Sequence, residues 1–242
     1  SILIPVFNEE KFIKKNISEV IRLARKYLKS FEIIISENGS TDETLAIVKK
    51  IPGLKIITSP TADYGQAVKS GILTASGKYL ILFDLDYWDF DFVSQAEKMF
   101  PKYSAIVASK NSTSSKDQRS LTRRLISQFF SLLLKLFFGL SISDTHGIKI
   151  LDRQKILPFI SQCRTTKETF DTELLIRCHN AGLLLGEVPV TVKETRPSRT
   201  SIFRRIPRSL RDLIRLKLYL SPALPYIIFT HTLSLIFLLP SL

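Results

Sequence analysis

Tyr79-Leu80-Ile81-Leu82-Phe83-Asp84-Leu85-Asp86 reads as a strand that ends on two carboxylates. Five consecutive apolar or aromatic residues leave no polar face, so both sides of such a strand must be covered. Similar runs occur at Ser1–Val6 (SILIPV), Phe31–Ile35 (FEIII) and Leu54–Thr58 (LKIIT). Helical periodicity lies between them. Ile13, Ile17, Val20, Ile21, Ala24 and Leu28 recur on one helix face, and Thr41–Lys50 and Gln66–Ala75 also read as helices. Asn8 is expected to cap the first helix, with Glu9 and Glu10 at its positive end. Buried strands alternating with helices predict an α/β fold, with a mostly parallel central sheet flanked by helices. In such sheets ligands bind at the carboxyl ends of the strands, so the residues that follow each strand are the ones to inspect.

The second half is less regular. Ala105–Ser109 reads as a strand and Asn111–Ser115 as a polar loop. Leu121–Phe138 and Thr166–Ala181 read as helices, and Leu183–Val192 as a strand. Leu121–Phe138 is too short, and too interrupted by Lys135, to span a bilayer. It reads as a core helix; the alternative is an exposed apolar ledge of Phe129, Phe130, Leu133, Phe137 and Phe138.

Asp84 and Asp86 leave their strand toward the expected crevice. Like charges this close repel unless a cation sits beside them, and a hard cation prefers oxygen ligands and is often completed by substrate phosphates. The competing reading is a solvated acidic turn, since Asp89 and Asp91 follow. Glu37-Asn38-Gly39-Ser40-Thr41-Asp42, after the second strand, can be a polar strand-to-helix turn. It can also offer an acceptor, at Glu37 or Asn38, to a nucleobase edge. Neither G-x-G-x-x-G nor a P-loop is present, which argues against a nicotinamide enzyme or an NTPase.

Four segments now carry a resemblance: Ile4-Pro5-Val6-Phe7-Asn8-Glu9-Glu10, Glu37–Asp42, Tyr64-Gly65-Gln66-Ala67 with Gly71, and Asp84-Leu85-Asp86. In order and spacing they resemble the family-2 inverting glycosyltransferases. Asp144-Thr145-His146-Gly147-Ile148-Lys149, Phe170-Asp171-Thr172-Glu173-Leu174-Leu175 and Gly186-Glu187-Val188-Pro189-Val190 are similar to segments of the dolichyl-phosphate mannose and glucose synthases, with a slight lean to the glucose-transferring ones. The resemblance implies a GT-A (Rossmann-like) fold. It implies hexose transfer from GDP-mannose or UDP-glucose to a polyprenyl or dolichyl phosphate, aided by Mg²⁺ or Mn²⁺. It implies nucleotide-sugar contacts at Pro5, Phe7, Glu9, Glu37, Asn38, Gly65, Gln66, Asp84 and Asp86, and metal ligation by Asp84 and Asp86. Asp84, Asp86 and Arg124 take the catalytic roles, and Lys110, Arg124, Ser127, Arg196 and Arg199 handle the acceptor phosphate. Two positions depart from the pattern. Glu37-Asn38 replaces an Asp-Asp pair, and Trp88 stands where many members have a metal-ligating Gln, so Asp89 or water would substitute. A catalytically impaired homologue is the alternative these departures raise. The Gln-x-x-Arg-Trp of polymer-making synthases is absent.

Charge divides the chain. Its net +13 lies wholly in residues 101–242, because residues 1–100 hold 13 basic and 13 acidic residues. Eight basic residues against Asp212 alone lie between Arg196 and Lys217, interleaved with Ile206, Leu210, Leu213, Ile214 and Leu218. This is the pattern of a helix on an anionic membrane surface. Residues 223–242 are uncharged and apolar, about the length a bilayer span requires; the alternative is a hydrophobic hairpin or helix packed on the domain. The expected organisation is a glycosyltransferase domain over 1–202 (donor half 1–100, acceptor half 101–202), a basic interfacial helix over 203–220, and a membrane segment over 223–242 that continues beyond Leu242. The basic flank places this attachment on the cytoplasmic face. A nucleic-acid partner would call for aromatic interleaving of the basic residues, which are instead spaced by aliphatic ones. Cys163 and Cys178 are expected to be half-buried free thiols in a reducing compartment. His146 is expected to be structural, Asp144 a turn acceptor or an acceptor-site contact rather than a base, and Asp171 and Glu173 either a second acidic pair or an exposed helix face.

Overall fold

The computed structural model describes residues 1–109, 121–167, 169–191 and 202–221, and divides the chain into two units, Ser1–Pro197 and Ser198–Leu242. The first unit is built on a seven-stranded sheet of β1 (Ile2–Val6), β2 (Ile33–Asn38), β3 (Leu54–Ser59), β4 (Tyr79–Leu82), β5 (Ala105–Ser109), β6 (Lys149–Asp152) and β7 (Leu185–Pro189), in the spatial order β3-β2-β1-β4-β6-β5-β7. Every pairing is parallel except those of β6, which runs antiparallel to β4 and β5. The helices are α1 (Ile13–Tyr27), α2 (Thr44–Val48), α3 (Tyr64–Thr74), α4 (Phe90–Glu97), α5 (Leu121–Phe138), α6 (Arg153–Ile160) and α7 (Thr169–Asn180); α8 (Ile202–Leu220) belongs to the second unit.

Alternation along β1 sorts the layers. Ile2, Ile4 and Val6 join a core with the buried face of α1 (Ile13, Ile17, Val20 and Ala24) and with Phe90, Phe92 and Val93 of α4. Leu3 points the other way, beneath Gly71 of α3, where a Cβ would lie 2.2 Å from a Leu3 methyl. Only glycine lets α3 approach β1 this closely. Helices α1, α2 and α4 thus neighbour one another on one side, and α3, α6 and α7 on the other.

Several expectations are corrected. Glu37 and Asn38 are the last residues of β2, not part of the turn after it. Asn8 does not cap α1. It takes a positive φ of 52° and its Oδ1 accepts from Thr41 N at 2.8 Å, so it ties two loops together, while α1 starts at Ile13 after Phe12. Elements β6, α4 and α6 were not read from the sequence, because each is short and lacks a clear apolar period. Cys163 and Cys178 are buried rather than half-buried. No helix among the described residues is long and apolar enough to cross a membrane. The expected membrane segment 223–242 lies outside those residues.

Candidate active site

Because β1, β2, β3 and β4 are parallel, their carboxyl ends share one edge of the sheet. The antiparallel β6 brings its first residue, Lys149, to that same edge, opposite Leu82. Here the structure gathers the exits of β1 (Phe7–Glu10), β2 (Gly39–Asp42) and β4 (Asp84–Asp86), with the loop leading into β6.

The β1 and β2 exits are laced by hydrogen bonds. Asn8 N donates to Ser40 Oγ (3.0 Å), Glu9 N to Thr44 Oγ1 (2.7 Å), Glu10 N to Asp42 Oδ2 (3.2 Å), and Glu43 N to Glu10 Oε2 (3.2 Å). Glu37 is buried, and its Oε1 accepts from Ser40 N at 2.5 Å. Asn38 is buried too, with Oδ1 accepting from Asp63 N at 2.7 Å. Both side chains therefore hold loop backbone at the crevice. Gly39 sits at φ 71°, and a Cβ there would lie 2.9 Å from Thr61 C. Pro5 pairs with Ser36 within the sheet, whereas Phe7 is 37% exposed where β1 leaves it. Gly65 and Gln66 lie in the first turn of α3, capped by Asp63, whose Oδ1 accepts from Gln66 N and from Lys167 N, each at 3.0 Å. Gly65 is buried against Lys167 and Phe170, while Gln66 is exposed.

After β4 the chain turns tightly. Asp84 and Tyr87 exchange both backbone hydrogen bonds at 3.2 Å, which leaves Asp86 exposed at the tip and Asp84 half-buried. Burial, then the charges of Asp89 and Asp84, push the Tyr87 hydroxyl well above its usual range. Asp89 is committed elsewhere, as the N-cap of α4, where Oδ1 accepts from Phe92 N at 2.9 Å. Among the described residues no three acidic, His or Cys side chains gather to hold a metal ion. The donor set thus fits a divalent cation only as two hard carboxylates, Asp84 and Asp86, with the rest of the shell from substrate oxygens and water.

On the other side of the crevice the structure reveals a cluster the sequence did not disclose. Lys149 Nζ lies 2.7 Å from Asp171 Oδ2, with both side chains almost wholly buried, and Tyr64 Oη donates to the same oxygen at 2.9 Å. Asp171 Oδ1 is buried without a hydrogen-bond partner. Next to it, the Thr145 and Thr172 hydroxyls lie 2.7 Å apart. Neither Asp171 nor Glu173 is on an exposed face. Glu173 is buried and accepts from Arg164 N, Thr165 N, Thr165 Oγ1 and Arg177 Nε at 2.6–3.1 Å. Burial pushes its carboxyl up, but these donors outweigh burial and hold it below the usual range. The available signal was Lys149 itself, a lone charge in the apolar run Ile148–Leu151 that had to find a partner.

Of the acceptor-side candidates, Arg124 is exposed and Ser127 half-buried on α5. That helix is fastened to the crevice by Ser131 Oγ, which donates to Ser143 O at 2.6 Å. The Ser143 hydroxyl meets Ser109 Oγ and Glu187 Oε1, each at 2.7 Å. Asp144 Oδ1 accepts from His146 N at 2.9 Å, and the His146 ring lies tilted at 53° to that of Phe130, with centroids 5.5 Å apart. Lys110, Arg196 and Arg199 lie outside the described residues.

The model of the family described as Glycosyl transferase family 2 matches residues 1–157. A dolichyl-phosphate beta-glucosyltransferase of Trichomonas vaginalis is 26% identical over 240 residues, covering 90% of this chain and 73% of the relative. That of Saccharomyces cerevisiae is 27% identical over 248 residues, covering 90% and 74%. Among solved structures, mannosyl-3-phosphoglycerate synthase from Rubrobacter xylanophilus has a TM-score of 0.69 at 14% identity, covering 91% of this chain and 74% of its own. Glucosyl-3-phosphoglycerate synthase from Mycobacterium tuberculosis, solved with Mn²⁺, UDP and glucosyl-3-phosphoglycerate, has a TM-score of 0.64 at 18% identity, covering 90% and 78%. The structural likeness establishes a GT-A-like α/β fold.

Proposed function

Because the chain belongs to glycosyl transferase family 2 and is therefore a glycosyltransferase, we propose that it moves glucose from UDP-glucose to a polyprenyl phosphate, of dolichyl type, at a membrane surface. The observation that carries this reading is the match of 90% of the chain to dolichyl-phosphate beta-glucosyltransferases, with the Asp84–Asp86 turn at the carboxyl edge of the sheet.

The donor occupies the crevice between the β1 and β2 exits. Pro5, Phe7 and Glu9 line one wall, and Glu37 and Asn38, through the backbone they hold, the other; Gly65 and Gln66 approach from α3. The diphosphate lies toward Asp84 and Asp86. A divalent cation bound there would neutralise the charge that builds on the leaving diphosphate. A phosphate oxygen of the acceptor forms the new bond to the anomeric carbon from the opposite face. The bond to the diphosphate oxygen breaks, and its electron pair leaves with UDP. The nucleophile is already an anion, so a strong general base is unnecessary; cations must instead bring two anions together. Arg124, with Lys110, Arg196 and Arg199, supplies them, and Ser127 adds a hydroxyl. The basic stretch 196–217 and the apolar run 223–242 support attachment to the cytoplasmic face of a membrane, with anionic lipid as a partner.

The test is a donor panel with a short polyprenyl phosphate and Mn²⁺ or Mg²⁺. A glucosyl phospholipid formed from UDP-glucose is expected, with little product from GDP-mannose. Product from GDP-mannose alone would reassign the donor. Absence of any nucleotide binding would favour the impaired homologue, which the Glu37-Asn38 and Trp88 departures motivate.

A further inference from the structure

Asn16 stands out of place in α1. The buried residues of that helix, Ile13, Ile17, Val20 and Ala24, recur at helical spacing, and Asn16 flanks their stripe, half-buried. Its backbone N–H donates to Phe12 O at 3.0 Å, within the helix. Asparagine is a poor helix former, because its short amide competes for backbone groups, and Ala, Leu or Lys would serve α1 better. The amide instead leaves the helix. Asn16 Nδ2 donates to Leu85 O at 3.0 Å, across 69 residues of sequence. Leu85 lies between Asp84 and Asp86. A carbonyl oxygen only accepts, so this contact fixes which end of the amide faces the turn.

The place of that carbonyl matters to the carboxylates on either side of it. Leu85 O belongs to the planar peptide that joins Leu85 to Asp86, so holding it sets the direction in which the chain runs on to Asp86. Asp86 is exposed, so core packing does not aim its side chain. Other contacts fix the rest of the turn. Asp84 and Tyr87 exchange backbone hydrogen bonds, and the Leu85 side chain is buried in the core that also holds Ile13, Ile17 and Val20. Asn16 adds the hold on the peptide between the two acids. Two carboxylates serve one cation well only when their directions are set before it binds.

We propose that Asn16 is a positioning residue for the donor's divalent cation: through Leu85 O it holds the turn in the form from which Asp84 and Asp86 meet one metal ion. This rests on the reading of Asp84 and Asp86 as the cation's protein ligands. The consequence is a split between two kinds of binding. Affinity for Mn²⁺ in the presence of UDP depends on Asn16. Affinity for UDP without metal does not, because the crevice walls at the β1 and β2 exits are held by hydrogen bonds of their own. A residue that merely stabilised α1 would change both alike.

The test measures free Mn²⁺ by electron paramagnetic resonance, with the full chain and saturating UDP, and UDP binding by calorimetry in EDTA. Asn16→Ala removes the donor; the higher helix propensity of alanine offsets the lost hydrogen bond, so the melting temperature is expected to be nearly unchanged. Asn16→Asp keeps the shape but turns a carboxylate oxygen toward Leu85 O, and Asn16→Gln retains a donor. Loss of an outer hydrogen-bond partner at a metal site lowers metal affinity on the order of 10–100-fold. The Mn²⁺ dissociation constant is therefore expected to rise about 10-fold in Asn16→Ala and further in Asn16→Asp, with part of the loss recovered in Asn16→Gln. UDP affinity in EDTA should be the same in all three. Unchanged Mn²⁺ affinity in Asn16→Ala and Asn16→Asp, where Asp86→Ala weakens it, would overturn the proposal and leave the metal reading intact. So would a parallel fall of Mn²⁺ affinity, metal-free UDP affinity and melting temperature, which would make Asn16 a structural residue only. Unchanged Mn²⁺ affinity in Asp86→Ala would overturn the metal reading, and the proposal with it.

Discussion

Asp86 is exposed at the tip of the β4 turn, where its side chain is not needed to hold the core. Asp86→Ala is therefore expected to leave the melting temperature nearly unchanged. It should lower kcat/KM on the order of 10²-fold and weaken calorimetric binding of UDP with Mn²⁺. Binding as tight as in the unaltered chain would remove Asp86 from the donor site. Gly39 makes the opposite case. With φ at 71° and Thr61 C 2.9 Å from any Cβ, Gly39→Ala should cost at least ~1–2 kcal/mol in chemical denaturation. It should also raise KM for the donor, because Ser40 N and Glu37 would lose their register. The sequence exposed Asp84 and Asp86 because a buried strand ending on two acids is a local pattern. It hid the work of Glu37 and Asn38, whose acceptors serve the backbone of Ser40 and Asp63, the latter 25 residues away.

Among the elements, α3, β6 and α7 meet in the Tyr64–Lys149–Asp171 cluster. A buried pair that loses one member leaves an uncompensated charge. Lys149→Met alone is expected to destabilise the protein by ~3–5 kcal/mol in urea unfolding. Adding Asp171→Leu should recover most of the loss, and a double-mutant cycle reads the difference. Near-additive effects would mean that the pair is not coupled. Strand β6 illustrates the limits of periodicity: four residues, all buried, give neither a 2.0 nor a 3.6 repeat, and their antiparallel direction follows only from the partners on either side. Helix α5 was legible in extent, Leu121–Phe138, but not in orientation, since apolar residues cover so much of its circumference that the pattern does not say which side the core will take.

For the molecule as a whole, acid is the sensitive direction. Burial raises the carboxyl groups of Glu32, Asp42, Asp63 and Glu173, yet in each the hydrogen bonds outweigh it and the group titrates below its usual range. A carboxylate whose folded pKa lies below its unfolded value adds stability that is complete above the unfolded value, about 4. That stability is lost as pH falls through the folded one. The melting temperature is therefore expected to be flat from about pH 7 to 5 and to fall below about pH 4. Asp63 and Glu173 both hold the 164–167 loop, through Lys167 N and through Arg164 N and Thr165 N. Hydrogen exchange at these amides should rise before that of the sheet, and Glu173→Gln should flatten the acid limb.

By itself the sequence determined the α/β class, the parallel arrangement of the first four strands, the place of the Asp84–Asp86 turn and the family. All of these rest on short-range signals: runs of buried residues, strand-to-helix spacing and contiguous motifs. Only the tertiary structure decided that β6 enters the sheet antiparallel, that Lys149 and Asp171 pair beneath Tyr64, and that Leu125, Phe129, Leu132 and Leu136 of α5 face outward. These depend on which residues distant in the chain come to lie side by side, and no local pattern carries the free energy of a contact whose partner is a hundred residues away.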